Sequence, residues 1–451
     1  MTELQPVEIF TSLVGREGCL LEHIGGNQLI HCHHGRIETA AEIACGDLMY
    51  RAGQLPTSLE AALKLPLKIA ETDDPGLFAA LKNIFLEAAG LSEGDAVVLA
   101  SVVLASWMGD FVCGVSVNLI GSQAVTAPVK ALLSALARNP LSLATFNLTE
   151  MARLPAGLLP TVLLSAPSAR ALQELALTTG DQLQVVRRGN LELLPRCLGI
   201  VCSDEPAPLG ALRINLVGQS EAAFRASYLA DLEAQLRPAL LRYRLTHYAT
   251  LANSTCDSPF FCPETRAWAQ LLGAVVTPFP GATAEVVEAL RPQDQAQQAS
   301  LADSVQGAVL EAVFLSIHAD TTPPYVQDVA RLANVLLAGR GESELTTRGV
   351  GARLRKLGFA CERKGAGYRL VLSKDVRQRV HRLAQDMGVP LPVENSAGCP
   401  CCAELSRQCA GSGGESHSPV ADDVHNVHDL HHVHPASEVQ AANLSANEEC
   451  R

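Results

Sequence analysis

Aromatic residues are scarce in this chain, at 4% of 451 residues, and charged residues make up only 18%. Leu, Ala and Val must therefore build its cores, and a hydrophobic fraction of 48% predicts that most of the chain folds, in two or three domains. The formal net charge of −12 excludes a uniformly basic coat for nucleic acid but leaves local basic patches open.

Long apolar runs are also missing. The longest, at 96–108, falls short of the roughly 18 residues that span a bilayer, so we expect no membrane partner. The first residues have neither a basic n-region nor an apolar h-region, so we expect no secretory signal. Fourteen Cys follow no regular framework, which predicts reduced thiols. These features predict a cytoplasmic protein of bacterial or phage type.

The first 70 residues predict a small β-rich segment, because short apolar pieces alternate with Gly. His31, Cys32, His33 and His34 are metal-binding residue types in this segment. Adjacent side chains on a strand point to opposite faces, so these four cannot all reach one ion. A solvated hairpin is therefore favoured over a metal site.

Residues 71–317 alternate helical and strand patterns, which predicts a mostly parallel sheet flanked by helices. Helical spacing begins near Asp74, and Ser92 provides a capping signal for a second, nearly all-apolar helix. Polar residues at 291–300 interrupt the pattern, which then resumes as one further helix. The predicted strands lie at 115–121, 161–166, 198–203 and 211–217.

The chain is organised around 115–137, which predicts a buried strand, a turn at Gly121 and a helix. A phosphate-binding loop of pattern G-x-x-x-x-G-K-[ST] occupies this kind of junction. Aligned on Gly121, the pattern has Thr126 in place of the second glycine. Ala127 replaces the lysine that neutralises phosphate, and Pro128 replaces the hydroxyl residue that holds Mg²⁺.

The remaining parts of a nucleotide site are displaced or missing too. Lys130 lies three residues beyond the lysine position, and the strand at 161–166 ends in Ser165 and Ala166 where an acidic residue is needed. We therefore expect no catalytic residues and no ATP hydrolysis. An ordinary β–turn–α unit is the competing interpretation. The vestigial nucleotide-binding positions are Gly121, Ser122, Thr126 and Lys130.

The order of segments over roughly 75–275 resembles the ATPase part of primase–helicase-like proteins of phages and integrative elements. The resemblance rests on SWMGD at 106–110, the strand that ends at Ala166, and the segments at 202–216 and 237–251. It implies a P-loop-like ATPase fold with degenerate Walker motifs. It also implies that Arg213 matches an arginine that reaches a neighbouring subunit's phosphate, although a surface residue of an edge strand is the competing interpretation.

A small basic module occupies 325–389, with thirteen Lys and Arg against six Asp and Glu. Its net charge of +7 contrasts with −19 for the rest of the chain. Helices at about 326–337, from 347 and at 375–387, with a hairpin whose tip is 364–367, predict a winged helix. The family has a similar C-terminal segment, which implies DNA binding, while packing on a protein partner is the alternative. The predicted DNA contacts are Arg348, Arg353, Arg355 and Lys356 beside the recognition helix, and Arg363, Lys364 and Arg369 on the wing.

The stretch 394–451 is rich in Cys, His, Ser and Gly and predicts a disordered tail. Cys399 and Cys402 form a C-x-x-C pair, which Cys409 and His417 would complete as a weak Zn²⁺ site. A low-complexity tail without metal is favoured, and no other cofactor is expected.

The predicted architecture is α/β, with domains at 1–70, 71–317 and 325–389 before the tail. The predicted function is that of a non-catalytic DNA-associated protein of mobile-element type, with a decayed ATPase core and a winged helix. A divergent but active ring ATPase or helicase, and a ligand-sensing transcription regulator, remain open as alternatives. The expected partners are DNA and further copies of the chain.

Overall fold

The computed structural model describes residues 6–403, apart from several short gaps. These residues belong to one compact unit, Met1–Glu404, and the second unit, Leu405–Arg451, lies outside the described residues. The gaps are 15–18, 34, 46–47, 110–115, 156, 180–183, 188–189, 194–195, 205–210, 217–223, 253, 255, 257–260, 320–321, 366 and 390–398.

The N-terminal segment is β-rich, as predicted. Its strands form a three-stranded sheet in the order β1–β7–β6 and an antiparallel four-stranded sheet in the order β2–β3–β4–β5. The elements are β1 (Val7–Ile9), β2 (Ser12–Val14), β3 (Leu20–Ile24), β4 (Gln28–His33), β5 (Arg36–Ala40), β6 (Glu42–Cys45), β7 (Leu48–Ala52) and the helix α1 (Thr57–Leu63).

The helix α3 (Glu93–Trp107) lies at the centre of the largest core, because its residues from Ala96 onward are all buried. The Ser92 hydroxyl accepts a hydrogen bond from the Asp95 N–H at 3.1 Å, which confirms the predicted cap. Before it come α2 (Leu77–Asn83) and a π-helical turn, Ile84–Ala88.

The central sheet has five parallel strands in the order β14–β8–β13–β10–β9. Leu163 and Ile200 are paired across β10 and β13 and belong to the core around α3 and α4, whereas Val162 and Val201 pack with α6 on the other face. This confirms a parallel sheet covered on both faces. The elements are β8 (Ser116–Ile120), α4 (Gln123–Leu136), β9 (Pro140–Leu143), α5 (Leu148–Met151), β10 (Thr161–Ser165), α6 (Ala169–Thr179), β11 (Gln184–Arg187), β12 (Asn190–Leu193), β13 (Leu198–Ser203) and β14 (Leu212–Asn215).

Four helices follow, and the prediction that 291–300 interrupt the helical pattern is wrong. These polar residues lie inside one continuous helix because their side chains bind the start of the preceding helix. Asp294 accepts the Cys262 N–H at 2.8 Å, and Gln297 donates to Glu264. The single helix that was predicted to follow residue 300 is broken at Ser304, and the helices on either side of it are bent by 78°. The four are α7 (Ala226–Leu251), α8 (Pro263–Val276), α9 (Ala282–Asp303) and α10 (Val305–Ala319).

The basic module has the predicted helices and hairpin. The helix α10 packs with it, since Val313 shares a hydrophobic cluster with Ala333, Leu354 and Val380. The remaining elements are α11 (Val326–Gly339), α12 (Thr347–Lys356), β15 (Cys361–Lys364), β16 (Gly367–Leu370), α13 (Lys374–Asp386) and a helical turn at 400–403.

Within the described residues, no single helix has the length and apolar composition of a membrane span. One bent pair, α9 with α10, reaches that length and composition only when its two helices are taken together.

Candidate nucleotide edge, DNA interface and metal centre

The predicted phosphate loop lies at the carboxyl edge of the parallel sheet, where open α/β sheets bind ligands. Gly121 has φ +155° and donates its N–H to the Ser203 carbonyl at 3.0 Å. The helix α4 begins immediately after Ser122, whose carbonyl accepts the N–H groups of Val125 and Thr126 at 3.1 and 3.0 Å. A phosphate cradle needs such N–H groups to point at the anion, whereas these two close a helical turn.

Lys130 reaches the same edge of the sheet from α4. Its ammonium donates to the Ser165 hydroxyl at the end of β10, at 2.6 Å. Burial raises the pKa of Cys202 to about 11, and the nearby charge of Lys130 and the Thr126 hydroxyl oppose that rise. The Ser203 hydroxyl donates to Asn118 at 2.9 Å. Ammonium, hydroxyl and thiol groups therefore meet here and can bind an anion, and none of the described side chains that make these contacts is a carboxylate that could hold Mg²⁺.

Asp204 and Arg213 also lie near this edge. Asp204 is exposed directly after β13, and Glu205 lies outside the described residues. Arg213 is exposed on the edge strand β14, as the competing interpretation expected, and its N–H donates to Gln293 at 3.2 Å. It lines a cavity of about 700 Å³ together with Asp95, whose pKa is raised by burial. A role of Arg213 toward a neighbouring subunit stays a prediction.

The helix α12 separates its apolar and basic side chains by face. Val350, Leu354 and Leu357 are buried in the core of the module. At 100° per residue, Arg348 and Arg355 lie two turns apart on the side of the helix that faces away from this core. Both are exposed. Two of the predicted DNA contacts therefore project away from the core on one line.

A cleft of about 590 Å³ lies between α12 and the hairpin. Arg348 and Arg355 line it, together with Tyr325, Gln327 and Tyr368. The Tyr368 side chain on the hairpin is 59% exposed. Two guanidinium groups beside an exposed aromatic ring are suited to a phosphate backbone and its bases.

The other predicted DNA contacts fall into two groups. Lys356, Arg363 and Lys364 are exposed. Arg353 and Arg369 are instead half-buried and held within the module. Arg353 donates to the Gly349 carbonyl at 3.4 Å, and Arg369 donates to the Pro323 carbonyl at 2.6 Å with its guanidinium 5.5 Å from the Tyr325 ring.

A cluster of two histidines and two cysteines joins α10, α13 and the helical turn at 400–403. His318 Nε2 lies 3.2 Å from Cys402 Sγ and 3.2 Å from His381 Nε2, which lies 3.3 Å from Cys399 Sγ. All four donor atoms lie within 4.8 Å of one another. Burial lowers the pKa of His381 and raises the pKa of Cys402 to about 12, so both groups are held neutral unless a cation is nearby.

Of the four predicted metal ligands, the structure places Cys399 and Cys402 together, and their neighbours are His318 and His381. Cys409 and His417 lie outside the described residues. Sequence analysis missed His318 and His381 because they are 63 residues apart on different helices, without the short spacing that marks a zinc site. The C-x-x-C pair was the only local signal that could have found this site.

A smaller cluster lies in the N-terminal sheets. Cys19 Sγ lies 3.1 Å from His31 Nε2 and 2.9 Å from Cys45 Sγ. His31 Nδ1 lies 3.0 Å from a Glu38 carboxylate oxygen. The predicted hairpin is present as β4 and β5, but the solvated environment expected for it is wrong, since His31 and Cys32 are buried.

No protein-family model and no curated protein sequence matches this chain. Among solved structures, the apo C-terminal region of NrS-1 is similar at 11% identity and TM-score 0.34, covering 76% of this chain and 93% of that one. Drosophila ORC bound to DNA has 12% identity, TM-score 0.19 and coverages of 73% and 95%. Cdc6p from Pyrobaculum aerophilum has 10% identity, TM-score 0.17 and coverages of 77% and 99%. These TM-scores are too low to define the fold, which the strand order and the contacts described above establish.

Proposed function

We propose that this chain is a non-catalytic DNA-binding protein that contacts DNA through its basic module. The module is a winged helix in this proposal. The helix α10, the single paired residue Tyr325, the helices α11 and α12, and the β15–β16 hairpin follow one another in the order of that fold. Tyr325 pairs with Arg369 and so adds a third, one-residue strand to the hairpin.

The observation that carries the proposal is the exposed basic surface of α12 and the hairpin. Arg348 and Arg355 line the cleft from α12, and Arg363 and Lys364 are exposed on the hairpin that forms its other side. This arrangement can neutralise phosphates on both sides of a bound backbone. An acidic chain in which one small module has a net positive charge favours a local DNA contact over general association.

Anisotropy of a fluorescent DNA duplex of mixed sequence tests the proposal with the full chain. Arg348→Ala combined with Arg355→Ala is expected to weaken binding about tenfold or more at moderate salt, because two phosphate contacts are lost. The matched control is Arg153→Ala with Arg291→Ala, which removes the same charge from exposed, ion-paired arginines elsewhere. Equal affinity losses in both double variants, or no binding by the unmodified chain, would overturn the proposal.

We further propose that the nucleotide site at the edge of the central sheet is vestigial. The early start of α4 and the hydroxyl end of β10 support this account, since phosphoryl transfer depends on positioned phosphates and metal. The second candidate function is a divergent motor, which the contact between Lys130 and Ser165 favours because it places an ammonium group at the sheet edge.

Calorimetry with MgATP separates these two candidates. We expect no heat of binding by the full chain at high micromolar nucleotide. Clear binding that Lys130→Ala abolishes, and that Lys64→Ala does not, would support the motor, and nucleotide-dependent assembly of copies would support it further. Lys64 is a suitable control because its ammonium pairs with Glu233 away from the sheet edge.

A further inference from the structure

Hydrogen bonds alone do not satisfy all the contacts in the cluster of His318, His381, Cys399 and Cys402. His318 Nδ1 lies 2.7 Å from the Phe314 carbonyl, and His381 Nδ1 lies 2.7 Å from the Arg377 carbonyl. A carbonyl accepts only, so each Nδ1 must carry the proton of its neutral ring. Each Nε2 then presents a bare lone pair.

Those two lone pairs face each other at 3.2 Å, and each also faces a thiol at 3.2 or 3.3 Å. Two thiol protons can satisfy the two nitrogens singly, but they leave the contact between the nitrogens repulsive. A cation at the centre would attract all four donor atoms and so offset the repulsion between the two nitrogens. A tetrahedral zinc site with Zn–N of about 2.0–2.1 Å and Zn–S of about 2.3 Å separates its donor atoms by roughly 3.3–3.8 Å, close to the distances in this cluster.

We propose that His318, His381, Cys399 and Cys402 bind one Zn²⁺ ion as a closed structural site. Two neutral imidazoles and two thiolates make a tetrahedral N₂S₂ set that suits zinc, and four protein ligands leave no position for a substrate. Binding releases the two thiol protons to solvent, so the loaded site has no net charge.

The surroundings have the features of a formed metal site. The backbone carbonyls of Phe314 and Arg377 fix both rings in the orientation that ligation needs. The Phe314 ring packs on both imidazoles, with centroid distances of 4.5 and 5.1 Å, and shields the cluster from water. The helical turn that carries the cysteines is closed by a hydrogen bond from the Ala403 N–H to the Cys399 carbonyl at 3.0 Å.

The ion would fasten three pieces of chain that are distant in sequence. His318 lies at the end of α10, His381 in the middle of α13, and the cysteines in the turn that follows 390–398. The site thus joins α10, which packs on the basic module, and the last helix of the module to the segment that precedes the tail. Zinc binding is expected to stabilise the folded module, because the unfolded chain does not hold these four ligands together.

The test is the zinc content of the full chain, produced without a histidine tag and dialysed against a weak chelator. We expect one zinc ion per chain, lost in Cys402→Ser and in His381→Ala. Cys401→Ser is the matched control, since Cys401 is the adjacent thiol and is not in the cluster. His425→Ala with His428→Ala controls for metal held by the histidine-rich tail. Both controls are expected to keep the ion.

Two further measurements keep the proposal testable if a variant folds poorly. Cys402→His conserves a zinc ligand and is expected to retain the ion. Cobalt substitution of the unmodified chain is expected to give the strong visible bands of tetrahedral cobalt with a thiolate charge-transfer band, which Cys402→Ser removes. Absence of zinc from the unmodified chain, or equal loss in Cys401→Ser and Cys402→Ser, would overturn the proposal. Zinc lost only in His31→Ala would place the ion in the N-terminal cluster instead.

Discussion

Glu22 is a buried acidic residue that binds two buried arginine side chains in the core. Its carboxylate accepts from Arg138 at 3.0 Å and from Arg244, and all three side chains are buried. Arg237 lies nearby with its guanidinium 5.5 Å from the Trp107 ring, and burial lowers its pKa to about 10. Glu22 thus binds two buried arginines at once, which makes its carboxylate hard to replace.

Glu22→Gln is therefore expected to destabilise the chain by about 3–5 kcal/mol, because it removes the charged partner from the buried ion pairs with Arg138 and Arg244. Urea unfolding measures this loss. Glu150→Gln is the matched control, since the Glu150–Arg153 pair is about 60% exposed and should contribute about 1 kcal/mol or less. Similar losses in the two variants would show that the buried cluster contributes no more than a surface pair.

Single residues also decided what sequence analysis could find. Ser92 was identified as a cap because a capping residue acts on its own helix, within three positions. The partners of Glu22 lie more than a hundred residues away, and those of Cys402 come from two other helices. Sequence spacing shows local partners, and contacts between distant residues become visible only when the fold is known.

Among the elements, α12 carries the two arginines on which the proposed DNA contact depends. One side chain, that of Thr346, caps its N-terminus. The Thr346 hydroxyl accepts the Gly349 N–H at 3.1 Å. The helix has only ten residues, so the loss of one cap should affect its whole length.

Thr346→Ala is expected to cost about 1 kcal/mol of stability and to weaken DNA binding by loosening α12. Thr347→Ala is the adjacent control for stability, since it removes the same atoms from the first helical residue and no cap. Thermal unfolding and DNA anisotropy report the two effects. Loss of stability with unchanged DNA affinity would argue that α12 is not the contacting helix.

Hydrophobic patterning predicted most of the elements, and contacts with other parts of the fold determined the others. The strand at Leu198–Ser203 has the predicted bounds, because a buried strand in a parallel sheet is a short apolar run between turns. The edge strand Pro140–Leu143 was not predicted, since it is short and begins with proline. The helix Ala282–Asp303 was predicted too short, because its polar residues bind the start of a neighbouring helix rather than solvent.

For the whole molecule, charge is distributed unevenly between the basic module and the rest of the chain. The sheet edge that would bind a nucleotide contains Lys130 bound to a hydroxyl, whereas the module exposes several basic side chains at once. The α/β architecture followed from the alternation of strands and helices, but fold alone does not specify activity. In the proposed function, the basic module therefore contacts DNA and the sheet serves as its scaffold.

The most direct test of this account is the salt dependence of DNA affinity of the full chain. About five exposed basic side chains predict a slope of log K against log salt of about −3 to −5, at about −0.9 for each neutralised phosphate. The slope of Arg348→Ala with Arg355→Ala should be shallower by about 2. A slope near zero, or the same slope in both proteins, would contradict DNA contact through the basic module.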